Sequence, residues 1–378
     1  MEEITGAVWL PLLPDERDFL EHTLRSAAVL TPGNYDDPSG PSLATYISNA
    51  RIGGVEFRAL FDRNLISPIA RLASGMAMPS NPQEERITRL ACAAFSFCIW
   101  ADILIEPSMA LYEYASSMGH PSALQDLRHF RIADNADPRL LFDIAAGLAD
   151  ALPVEHLEEV AQDPGIQALK PREDNFAKTL TPWRPNYLCV LKTLDLLRSG
   201  LKPIDAACAL LAWQTRESFF NGVALMYCLA AMSHRPPKGG MLKGVKSTNI
   251  SMLRDGAVNA TWDICLLKQF GSYVIQSDSP SWSLWSDDFA LKSIARSLFI
   301  PSEASELDKL REFFLKTWGK DGPLLFSRYV QFVHEANVGS PERKKHTKDA
   351  FDRVDEDIAH LESSLGLHTI SPDVKRYA

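Results

Sequence analysis

The side chains with the clearest capacity for chemistry are carboxylates standing where apolar segments end. Asp62 closes the run from Gly53 to Asp62, in which a glycine pair leads into alternating, aromatic-rich residues that suit a strand. A carboxylate there lies at the strand's carboxyl end, where open α/β sheets bind ligands. Asp263 stands in a helix, Ala257 to Leu267, that is apolar on nearly every side and therefore reads as buried. Asn259 and Asp263, four apart, share a face with Asp255. Asp287 and Asp288 end the short apolar run Trp282-Ser283-Leu284-Trp285-Ser286, and Glu106 and Glu113 lie two turns apart at the start and interior of another helical pattern. Carboxylates brought together repel one another and raise each other's pKa, so such a group calls for a cation near neutral pH. Oxygen-only ligation selects Mg2+ or Mn2+, ions that activate a bound water and neutralise charge on a phosphate. The chemistry so implied is hydrolysis of a phosphodiester.

Each acid also has a plainer role open to it. Asp62 or Asn64 can cap the helix that follows, and one of Asp287 and Asp288 can cap the next. Asp263 can pair with Arg254 or Lys268, and Glu113 can lie on a solvated face. The alternative function is then a non-enzymatic helical interaction or scaffold protein.

The elements that must position these residues are mostly helical. Leu65, Ile66, Ile69, Ala70 and Leu72 recur at helical period after the strand ending at Asp62. Helical patterns follow over Glu84 to Trp100 and Ser108 to Ser117, the second set off by Glu106-Pro107. From Pro138 to Met232 helices are cut by prolines, and Arg235 to Lys246 is a glycine-rich basic loop carrying Lys238, Lys243 and Lys246. A helix from Ser251 to Phe270 precedes short strands expected at Ser272 to Gln276 and Trp282 to Ser286, and four helices close the chain. The expected layout is an N-terminal extension over 1–50, a sheet-containing core over 51–137 and 251–300, a helical insertion over 138–250, and C-terminal helices over 301–378. The fold class is α/β and helix-rich.

Composition narrows the partners. The chain has 378 residues, 46% of them hydrophobic, enough to bury a core without disulfides. Its net charge of -9 excludes a general basic field for coating nucleic acid, though not a local basic groove. Six cysteines lie mostly inside apolar runs, with no CxxC spacing, as free thiols of a reducing compartment do. No apolar run reaches membrane-spanning length, and the acidic start lacks a signal-peptide layout, so the expectation is a cytosolic protein with no membrane partner. HExxH and GxSxG motifs are absent, which removes the zinc-protease and serine-hydrolase readings.

Four islands resemble PIN-like nucleases. Ala59-Leu60-Phe61-Asp62-Arg63-Asn64-Leu65-Ile66 is similar to the family's opening strand and helix, with an acid at the strand end and asparagine two residues on. Ser108 to Glu113 resembles the stretch carrying the second acid, with Glu106 competing for that place. The Asp263 helix would hold the third acid, and Ser286 to Leu291 resembles the segment holding the fourth. The resemblance implies a small parallel sheet flanked by helices, Asp62, Glu113, Asp263 and Asp288 as catalytic acids, Mg2+ or Mn2+ as cofactor, and single-stranded RNA as substrate. Glu106 and Asp287 join the metal set, and Asn64, Asn259, Lys238, Lys243 and Lys246 are the expected substrate contacts. About 150 residues separate Glu113 from Asp263, far more than the compact family pattern allows without an insertion.

Overall fold

The structure is a computed structural model that describes residues 11–33, 40–164, 176, 178, 180–237, 241–245, 247–276, 280–299, 306–337 and 340–367. It divides into two compact units, one of Met1–Ala177 with Ser272–Asp288, the other of Lys178–Gly271 with Phe289–Ala378.

The first unit carries the sheet. In chain order it contains α1 (Pro14–Ser26), β1 (Leu30–Pro32), α2 (Leu43–Arg51), β2 (Phe57–Phe61), α3 (Arg63–Ala73), α4 (Pro82–Trp100), β3 (Ile103–Glu106), α5 (Ser108–Met118), α6 (His120–Asp134), α7 (Pro138–Ala145) and α8 (Val154–Gln162). β4 (Ser281–Trp285) returns to this unit at the end of a long helix of the second one. The strand order is β1-β4-β2-β3. β2 runs parallel to both β3 and β4, whereas β1 is antiparallel to β4. The sheet is therefore mixed, where the family likeness implied a parallel one. Its fourth strand comes from the segment expected to be an N-terminal extension, because Leu30 has a free edge of β4 to pair with and Leu20, Leu24, Leu43 and Ile47 have a core to enter.

Aromatic packing under the sheet fixes β2. Phe61 stacks on Trp285 at 5.4 Å, and Phe95 of α4 meets Phe61 edge to face at 5.2 Å. Such pairs prefer these offset and perpendicular geometries because ring faces are negative and edges positive. α3 starts at once after Asp62 and buries Leu65, Ile66, Ile69 and Leu72 along one side. α4 opens on Asn81, whose side chain accepts the N–H groups of Gln83 and Glu84, with Pro82 in the first turn.

The second unit is helical among its described residues. It contains α9 (Trp183–Arg198), α10 (Pro203–Arg216), α11 (Gly222–Met232), most of α12 (Ile250–Ile275), α13 (Phe289–Phe299), α14 (Glu306–Trp318), α15 (Gly322–Asn337), α16 (Pro341–Asp352) and α17 (Val354–Ser364). A buried amide network ties its first helices: Asn221 donates to Asn186 Oδ1 (2.8 Å), the Asn221 N–H donates to Gln214 Oε1 (3.0 Å), and Asn186 donates to Cys265 Sγ (3.2 Å). Residues 251–271, expected with the sheet, belong to this unit, and 138–177, expected in a helical insertion, belong to the first. Ser272 to Ile275, expected as a strand, is the last turn of α12, since the helical pattern runs on past Gly271.

One close approach in the second unit sets a test. A Cβ on Gly256 of α12 would fall inside van der Waals contact with the carbonyl of Lys243. A helical Gly→Ala change ordinarily gains about 1 kcal/mol. Here Gly256→Ala should instead cost about 1–3 kcal/mol through overpacking, read as a lower urea midpoint at unchanged m-value.

Candidate functional site at the carboxyl edge of the sheet

β2 and β4 end in register, Phe61 opposite Trp285, and the next residues carry the chemistry. The ladder continues through Asp62 N–H to the Trp285 carbonyl (2.9 Å) and Ser286 N–H to the Val29 carbonyl (3.0 Å). Ser286 Oγ donates to Asp62 Oδ2 at 2.6 Å. Ser286 Oγ itself accepts from Asn64 Nδ2 (3.3 Å) and from the Asp288 N–H (2.9 Å). Asn64 Oδ1 in turn accepts the Asp287 N–H at 3.3 Å. The start of α3 and the end of β4 are thus held together by one hydroxyl and one amide.

The chain steps from β2 to β3 on one side and lays β4 on the other, so strand order reverses between β2 and β4. Ligands of open α/β sheets bind outside the carboxyl ends at such a reversal. Asp62 is 9% exposed there. Burial pushes its carboxyl up to about 6, the Ser286 hydroxyl opposes this, and the charge of Asp288 adds to it. Asp62 occupies the N-cap position of α3, and the backbone N–H groups of Arg63 and Asn64 in the helix's first turn also act to lower its pKa, so the capping role open to it from sequence stands beside its contact with Ser286.

Glu113 on α5 faces the same region. Burial and the field of Asp62 push its carboxyl up to about 7, while Arg63 pulls the other way. Arg63 Nη1 stands 3.3 Å from Glu113 Oε1, and its guanidinium lies over the Tyr114 ring at 5.3 Å. Asp126 of α6, which the sequence reading did not single out, also lies in the field of Arg63, and burial pushes it up to about 6. The signal for Asp126 was slight, an acid on an amphipathic helix with no motif around it.

The other expected site residues have separate duties. Both terminal nitrogens of Arg86 engage Asp287. Glu106 ends β3 and accepts the Ser108 N–H at 2.8 Å, which caps α5. Of the two competitors for the second acid, Glu113 is the one in the field of Asp62. Asp263 lies in the second unit, with Oδ2 2.7 Å from the Tyr227 hydroxyl, which also stands 2.9 Å from the Met241 carbonyl. Asn259, read from sequence as part of a buried helix face, is exposed, and so is Lys243. Lys238 and Lys246 lie outside the described residues. Lys268, a candidate partner of Asp263, gives a hydrogen bond to Asn186 Oδ1 (3.3 Å). Among the described residues, no three or more His, Cys, Asp or Glu side chains stand close enough to hold a metal ion as placed.

The raised Asp62 carboxyl has a measurable cost. A folded-state pKa of about 6 against an ordinary 3.8 favours the folded state at low pH and removes that advantage as pH rises through about 6. Asp62→Asn, which keeps an acceptor for Ser286, should therefore be more stable than the parent at pH 8, by up to about 3 kcal/mol at ~1.36 kcal/mol per pKa unit. The two should converge as pH falls toward 4, in urea titrations at each pH. Equal stability at both ends would mean Asp62 ionises as an ordinary surface acid. No protein-family model matches the chain, nor does any curated protein or solved structure, so this geometry is what a functional reading rests on.

Proposed function

We propose that the first unit is a metal-dependent hydrolase of phosphodiester bonds, acting on single-stranded RNA, with Asp62 and Glu113 as its central pair. The supporting observation is that Glu113 stands in the field of Asp62 at the reversal point of the sheet, and that burial raises the carboxyls of both. A proton carrier works best with a pKa near the working pH, and Glu113 at about 7 suits taking a proton from water and returning it to a leaving oxygen. Asp62, held by Ser286, is the fixed member of the pair. Arg63, now on Glu113, would meet a phosphate with a two-pronged contact on this reading.

By donor type, Asp62, Glu113 and Asp288 suit a hard cation, being oxygen ligands that strain one another electrostatically. As placed, Ser286 and Arg63 occupy two of them, so ion binding requires Glu113 to leave Arg63. Mg2+ or Mn2+ bound there would supply charge neutralisation on the phosphate and a more acidic water. Asp263 is not needed in this set.

The competing reading is a helical interaction protein in which the acids serve their cationic neighbours. The Arg63–Glu113 and Arg86–Asp287 pairs favour it. Mn2+ titration separates the two. On the hydrolase reading, saturating Mn2+ raises the melting temperature of the parent, by about 2.7 kcal/mol of stabilisation at a hundredfold over Kd. Asp62→Asn and Glu113→Gln should lose that response and the cleavage of end-labelled single-stranded RNA together, while keeping their fold by circular dichroism. A parent chain indifferent to Mn2+ and inert toward RNA would leave the interaction protein.

A further inference from the structure

The first unit has a second concavity away from the Asp62–Ser286 contact. A cleft of about 640 Å³ runs beside β3, with the strand as one wall and Leu127, Arg131 and Asp134 of α6 among the other. This volume falls in the range of ligand sites, roughly 300–1,000 Å³.

Three features define what fits there. β3 is the terminal strand of the sheet, paired to β2 along one side, and among the described residues no strand lies on its other side. An edge strand offers a row of backbone donors and acceptors, and proteins usually blunt such edges with lysine, proline or a covering element. Here the edge reads Ile103-Leu104-Ile105-Glu106, with Leu104 54% exposed at its middle. It is confined to that length by Asp102, whose φ of 57° turns the chain at one end, and by Pro107 at the other.

The charge in the cleft is acidic. Asp102, Glu106 and Asp134 line it against Arg58 and Arg131, and Arg58 is already paired with Glu56 at 2.6 Å. Asp134 is half-buried, its carboxyl pushed up to about 6 by burial, with the charge of Arg131 on the same helix pulling the other way. Among the described residues no hydrogen bond reaches its carboxylate. A nucleic-acid strand would bring phosphates toward these acids, an unfavourable match. An extended peptide with basic side chains satisfies both the edge and the charge, because strand addition takes affinity from main-chain hydrogen bonds and specificity from alternate side chains.

We propose that the β3 cleft is a docking site for a short, extended, lysine- or arginine-bearing peptide segment of a partner protein, which adds as a further strand to β3 and sets a basic side chain toward Asp134.

The test uses the full chain and a short fluorescein-labelled peptide of alternating valine and lysine, read by fluorescence anisotropy. Saturable binding is expected, weakened about tenfold or more by Asp134→Asn, as for loss of a charge-assisted hydrogen bond. Methylating alternate backbone nitrogens of the peptide should abolish binding, and a valine–glutamate peptide should not bind. Leu104→Lys, on an exposed position, should also abolish it without altering circular dichroism. Asp62→Asn should bind like the parent, which keeps this test separate from the hydrolase reading. Equal binding of the methylated or the acidic peptide would overturn strand addition. So would displacement of the peptide by single-stranded RNA, or a concentration-dependent dimer dissolved by Leu104→Lys in a chain that binds no peptide.

Discussion

A buried carboxylate at the end of a central strand has to be answered by something, and in this protein the answer is a serine hydroxyl 224 residues away. The bond from Ser286 to Asp62 is short and buried, in surroundings where an unmet charge is costly. It also completes a ladder: the amides of Asp62 and Ser286 carry the hydrogen bonding of β2, β4 and β1 one step beyond the strands. The contacts that close the sheet and those that hold the acid are the same contacts. Asn64 reinforces them by touching both Ser286 and the amide of Asp287.

Around this fixed point the charges are unevenly matched. Arg63 is shared by Glu113, Asp126 and the Tyr114 ring, while Arg86 is committed to Asp287. The acids raised by burial outnumber the cations nearby, so their protons are held more tightly than in water. Such an edge is poorly optimised for stability, and displaced pKa values of this kind concentrate at functional sites, although structural ion-pair networks produce them as well.

The parts of this arrangement that could be read from sequence were the local ones. The strand ending at Asp62, the helix period beginning at Leu65 and the acids after Trp285 follow from alternation and spacing over a few residues. β3 was not legible, because Ile103 to Ile105 is a three-residue apolar run that periodicity cannot distinguish from a helix edge. β1 was hidden for a related reason, since three residues before a turn acquire strand character only from the partner they find. Asp263 drew attention through its context, an acid in an apolar helix, and a tyrosine from another helix, invisible in local pattern, stands beside it. Asp126 shows the converse, an acid whose surroundings come wholly from packing.

The first unit is interrupted, its sheet segments separated by the helices from residue 178 to 271. During synthesis, β2 and β3 leave the ribosome long before β4 exists. At elongation rates of about 5–20 residues per second, the 224 positions between Asp62 and Ser286 represent roughly ten to forty-five seconds. Through that interval the inner side of β2 lacks its native neighbour, and Phe61 lacks the indole it will stack on. A nascent chain in that state is an open template for pairing with other nascent chains. The insertion therefore makes the assembly of the candidate site a late, nonlocal event.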